Sequence, residues 1–100
     1  MKIKVEKIYK IRGWVNAKRD RKGNLQDHPF MKEIVIVNNL ECARACFESV
    51  KNEVHCYSSY SKYLSGVCEL FEPHIHENGL LADWPDNEDY IERYKFGRIE

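Results

Sequence analysis

Asn39-Leu40-Glu41-Cys42-Ala43-Arg44-Ala45-Cys46-Phe47-Glu48-Ser49-Val50 is the stretch that decides the fold class. Leu40, Ala43, Phe47 and Val50 recur at helical spacing, the pattern of a helix with one apolar face. Asn38 or Asn39 can cap its start, because a short side-chain oxygen accepts one of the N–H groups the first turn leaves unpaired. Glu41 suits the positive end of the helix dipole. Cys42 and Cys46, four apart, share one face. The helix is expected to end near Asn52.

Toward the N-terminus, Ile34-Val35-Ile36-Val37 is a β-branched run and reads as a strand. Residues 2–11 alternate as a strand does, with Ile3, Val5 and Lys7 on one side, until Ile8 breaks the parity. Gly13-Trp14-Val15 reads as the start of a second short strand. Lys18 to Asn24 is a polar turn with Gly23 and Asn24 to take positive φ, and Gln26-Asp27-His28-Pro29 is a second break.

Toward the C-terminus, Val54, Cys56, Ser58 and Tyr60 alternate with His55, Tyr57 and Ser59, which reads as a strand. Leu64-Ser65-Gly66 is a hairpin-type turn and Val67–Phe71 the return strand, ended by Pro73. Residues 74–88 are irregular, with turn signals at Asn78-Gly79 and Pro85-Asp86-Asn87. Asp89–Phe96 is the last strand. No repeat, linker or low-complexity segment interrupts the chain. The expectation is one α+β domain over residues 1–100, an antiparallel sheet curled around a single helix.

The four cysteines, Cys42, Cys46, Cys56 and Cys68, lie within 27 of the 100 residues. An even count in a short chain fits disulfides in an oxidising compartment, and metal or free thiols in a reducing one. Side chains at i and i+4 stand about 5–6 Å apart at Cβ, against about 3.8 Å for a disulfide, which removes Cys42–Cys46. A strand returning antiparallel past the helix meets Cys46 with Cys56, and the next strand brings Cys68 to Cys42. Cys42–Cys68 with Cys46–Cys56 is therefore the expected nested pairing.

These residues resemble a known family. Asn39 to Phe47, then Cys56-Tyr57-Ser58-Ser59-Tyr60, then Gly66-Val67-Cys68-Glu69-Leu70, look like the PAN/apple signature, and Asp89-Tyr90-Ile91-Glu92 is similar to that family's closing strand. The likeness covers roughly residues 34–95. It implies a disulfide-stapled sheet around one helix and a secreted module, of the type found in plasminogen, hepatocyte growth factor and leech anti-platelet proteins, that binds proteins or glycans without catalysis. The chain lacks the extra cysteine pair of apple domains, and its first 33 residues match no motif of the family.

The N-terminus carries no apolar run of signal-peptide length, so a secreted origin implies a mature domain with an added Met1. No run approaches a membrane span, and no Asn-x-Ser/Thr sequon occurs. Net charge is zero, but residues 1–33 hold ten Lys/Arg against four Asp/Glu and residues 34–100 six against twelve. That asymmetry provides a basic face for a polyanion or attraction between the halves.

Lys18, Arg19, Arg21 and Lys22 form the candidate site for a sulfated glycan such as heparin. Tyr57 and Tyr63, of opposite parity to Cys56, are candidates for an outward binding face for an extracellular protein. Nucleic acid is not expected, since the cluster has no stacking motif and the chain no net charge. Trp14 and Trp84 are expected in the core. His74 and His76 share a strand face and could join a cysteine or Glu77 around zinc, which gives the alternative of a cytoplasmic zinc-stabilised Cys/His domain; without close Cys-x2-Cys knuckles, no metal or other cofactor is the expectation. His55 beside Cys56 points to the other face, so a catalytic cysteine is not expected. Asp86, Glu88 and Asp89 read as a solvated acidic loop.

Overall fold

The computed structural model describes residues 7–17, 22, 30–59 and 64–96. Strand β1 is Ile8–Ala17, β2 is Phe30–Val37, helix α1 is Leu40–Ser58, β3 is Leu64–Phe71 and β4 is Tyr90–Phe96. The strands form one antiparallel sheet in the order β2-β1-β3-β4. Strands β2 and β3 flank β1 and run the same way, so the chain must cross the sheet between them, and α1 is that crossing. The architecture is a small α+β fold of one helix and four antiparallel strands.

The turn into α1 is made by two asparagines. Asn38 takes a left-handed φ of 57°, a conformation that its short polar side chain tolerates. Its N–H donates to the Lys7 carbonyl, and its side-chain oxygen accepts the Lys7 N–H, both at 2.8 Å. Asn39 then caps the helix by accepting the Cys42 N–H at 2.9 Å.

Register assigns the faces of the sheet. Tyr9, Ile11, Gly13 and Val15 of β1 lie opposite Ile36, Ile34, Lys32 and Phe30 of β2, while Ile11 and Gly13 also face Leu70 and Cys68 of β3. These residues point toward α1, whose Ala43, Phe47, Val50 and Val54 complete the core. Gly13 and Gly66 let the helix come close. A Cβ at Gly13 would stand 2.5 Å from a Val50 methyl and 2.7 Å from a Val54 methyl, and one at Gly66 would overlap Val54 more deeply. The missing side chains are what seats the valines on the sheet.

Three expectations are corrected. The sequence ends the helix near Asn52 and puts Cys56 on a strand; the helix instead continues to Ser58, with Ala43, Phe47, Val50, Val54 and Ser58 forming one unbroken buried stripe. No Gly, Pro or turn pair interrupts residues 50–58, so the 3.6-residue period wins over the apparent alternation. Residues 64–66 are not a turn but the start of β3, and Gly13 lies inside β1 rather than before a second strand.

The disulfide expectation loses its premise with the strand. Cys46 and Cys56, ten residues apart on one helix, are separated by about 15 Å of rise, beyond the roughly 7 Å between Cα atoms that a disulfide allows. Cys42, Cys46, Cys56 and Cys68 are free thiols, and no two lie at disulfide distance. Cys68 is fully buried in the core, and burial together with the neighbouring Glu69 charge pushes its thiol up to about 12.

Candidate functional site

The sheet face away from α1 carries Lys10, Arg12 and Trp14 of β1, Met31, Glu33 and Val35 of β2, and Val67, Glu69 and Phe71 of β3. A face opposite a helix is solvated in many antiparallel sheets. Here the segment 72–89 lies over part of it. Within that segment Ile75 bridges Leu81, the His76 N–H donates to the Leu80 carbonyl, and Gly79 turns the chain at φ 83°, as the Asn78-Gly79 pair predicts. Ala82 is buried, and Asp83 and Trp84 reach the sheet at Arg12.

Arg12 organises the site. Its Nε donates to Glu33 Oε2 at 3.0 Å, and its Nη2 donates to the Asp83 carbonyl. The guanidinium lies 5.1 Å from the Phe71 ring centre and 5.4 Å from that of Trp84. A planar, weakly hydrated guanidinium suits such a place, because it stacks on rings while its N–H groups stay paired. Lys10 adds an ion pair to Glu33 at 3.8 Å. Beside this group, buried Glu69 accepts the Tyr90 hydroxyl at 3.1 Å and pairs with Arg93 Nε at 3.2 Å. Burial and the Glu69 carboxylate push the Tyr90 hydroxyl above its ordinary range.

Next to Arg12 opens a hollow of about 840 Å³, lined by Lys10, Arg12, Trp14, Val15, Phe30, Met31, Glu33, Asp83 and Trp84. Trp84 is 76% exposed and Met31 82% exposed. The core placement expected for Trp84 is thus corrected: its ring covers Arg12 from outside, and Trp14 is partly buried on the wall of the same hollow. The two cations and two carboxylates of the wall cancel, leaving a hollow neutral in sum and apolar in its exposed area.

The residues singled out from sequence fall elsewhere. Of the basic cluster, Lys22 is described and exposed, while Lys18, Arg19 and Arg21 lie outside the described residues, as does Tyr63. Tyr57 is 39% exposed, outward as expected but on the helix, where its ring stacks on Phe30 at 4.8 Å. The charge asymmetry is partly met inside the fold, with Lys32 pairing with Glu53 at 3.2 Å.

A second hollow, of about 290 Å³, lies at the base of segment 72–89 and is lined by Glu72, Pro73, His74, Glu88, Asp89, Tyr90 and Ile91. His74 Nδ1 stands 2.6 Å from Asp89 Oδ2 and 3.8 Å from Asp86 Oδ2. The bond to Asp89 holds His74 above its ordinary value, against the effect of burial. Burial would raise the Asp89 carboxyl, but the bonds from His74 and from the Asp86 N–H hold it below the usual carboxylate range. His76 packs edge-on against His74, 5.0 Å between ring centres, rather than sharing a ligand position with a cysteine. The sequence named all these residues but not the pairing of His74 with Asp89, fifteen positions away, which depends on how segment 72–89 closes.

No described helix is long and apolar enough to cross a membrane. Compared with family models, curated proteins and solved structures, the chain matches none.

Proposed function

We propose that the protein is a non-catalytic recognition module that binds a protein partner in the hollow opposite α1. The observation that carries this is the pair Trp84 and Met31, both largely exposed on the wall of one hollow that Arg12 holds together. Large apolar side chains left in water around a pocket are what interfaces bury, and Trp and Arg are the residue types that dominate binding energy. A neutral, apolar wall favours an apolar or aromatic peptide segment over a sulfated glycan. The PAN-type recognition role expected from the sequence agrees in kind. The proposal depends on neither a secreted setting nor disulfides.

Panning a displayed random-peptide library on the wild-type protein tests it. Enriched peptides are expected to carry aromatic or aliphatic anchors and to bind Trp84→Ala and Met31→Asp at least tenfold more weakly, about 1.4 kcal/mol or more. Peptides that bind both variants as tightly as wild type place recognition elsewhere. Retention on heparin that is lost when Lys18, Arg19, Arg21 and Lys22 are changed to Ser moves it to the basic cluster.

A further inference from the structure

We propose that His74, Asp86 and Asp89 form a binding site for a divalent transition-metal ion of the zinc type, which clasps the base of segment 72–89. One ligand atom from each lies within 4.8 Å of the other two. A tetrahedral ion bound at about 2.0–2.2 Å holds its ligand atoms about 3.3–3.6 Å apart. The 2.6 Å from His74 to Asp89 and the 3.8 Å from His74 to Asp86 bracket that spacing, and no pair exceeds 4.8 Å, so movements of about an ångström seat the ion.

The donor set selects the class. An imidazole nitrogen with two carboxylates suits zinc and its neighbours, whereas calcium and magnesium take oxygen donors. Charge points the same way. The adjoining hollow is lined by Glu72, Glu88 and Asp89, and among the described residues His74 is the one side chain on its wall that can carry positive charge. Asp86 adds a further carboxylate. A cation would complement these carboxylates, and the hollow leaves room for water at the fourth position.

The site has a structural consequence. His74 follows β3 and Asp89 precedes β4, so one ion would pin both ends of the segment that presents Asp83 and Trp84 to the sheet. Closing a flexible loop costs entropy, and a bound ion removes that cost from later ligand binding. The site stands on its own residues, and its test involves no peptide.

Calorimetric titration with Zn²⁺ of the intact chain, repeated with Co²⁺ by absorption spectroscopy, decides it. The expected result is one saturable equivalent, a Co²⁺ spectrum without a thiolate charge-transfer band, and binding weakened at least about tenfold by His74→Asn and by Asp89→Asn, since even outer-shell partners of metal ligands commonly cost that much. Asp86→Asn, at an exposed position where asparagine still offers a side-chain oxygen to cap the short turn at Asn87–Asp89, is expected to weaken binding several-fold and so guards against misfolding of the other two. Cys42→Ser and Cys46→Ser are expected to bind as wild type. Absence of saturable binding, binding unaffected by His74→Asn, or binding abolished by the cysteine substitutions overturns the proposal.

Discussion

Gly66→Ala is expected to lower the stability of the protein by about 1–3 kcal/mol, the usual cost of forcing an extra methyl into a packed core. The new Cβ would overlap a methyl of Val54, with Ser58 Cβ 3.4 Å away. Valine in a helix has one strongly preferred rotamer and cannot swing aside, so the helix must lift or the strand must bend. Val54→Ala alone is expected to cost about 1.5–3 kcal/mol, because Val54 is fully buried. The double variant is expected to lose clearly less than the sum, with about 1 kcal/mol or more of favourable coupling, since the smaller side chain makes the space that the alanine needs. Chemical denaturation of the four proteins gives the coupling, and strict additivity would mean that α1 does not sit on Gly66.

Arg12→Ala is the second large effect, expected at about 2–4 kcal/mol. Breaking a buried ion pair by removing one partner costs roughly 3–5 kcal/mol. The Arg12 side chain is 11% exposed, but Glu33 is 42% exposed and partly rehydrates, which trims the figure. The stem and the guanidinium also pack against Phe71 and Trp84, so packing is lost with the charge. Arg12→Lys keeps the charge but not the planar fork that reaches Glu33 and the Asp83 carbonyl together, and is expected to recover less than half of the loss. Denaturation midpoints and tryptophan emission check both: loss of the guanidinium 5.4 Å from the Trp84 ring should change the emission intensity in Arg12→Ala. Unchanged stability and emission would show that Arg12 does not tie segment 72–89 to the sheet.

The two glycines explain much of what was and was not legible in the sequence. Gly66 reads as part of a turn and Gly13 as the start of a new strand because glycine usually marks a break, and nothing local distinguishes such a glycine from one that lets another element approach. Here both lie inside strands beneath the valines of α1. The start of α1 at Leu40, its cap within the Asn38-Asn39 pair, the last strand and the Asn78-Gly79 turn are readable, because each depends on neighbours in sequence. Strand β2 extends to Phe30, ahead of the β-branched run, through Met31, Lys32 and Glu33. It is an edge strand with an open face, so the polar Lys32 and Glu33 separate Phe30-Met31 from the β-branched run and hide the strand's start.

The hollow was less legible for a related reason. Trp84 lies in a stretch without periodicity, and its exposure is decided by Arg12, seventy-two positions away. Large aromatics are usually buried, so the core was the natural expectation. His74, Asp86 and Asp89 likewise become a cluster only when the segment between β3 and β4 closes on itself.

The central structural claim is that α1 continues through Cys56, because that continuation frees the cysteines and sets Val54 against the sheet. Thiol titration of the non-reduced protein, in denaturant and in native buffer, tests it most directly. The fold predicts four thiols in denaturant. In native buffer it predicts fast reaction at exposed Cys42 and Cys56, slower reaction at half-buried Cys46, whose thiol burial and Cys42 raise, and the slowest at Cys68, whose pKa of about 12 keeps it protonated inside the core. Fewer than four thiols in denaturant, with Cys46 joined to Cys56 in the peptide map, would contradict the helix.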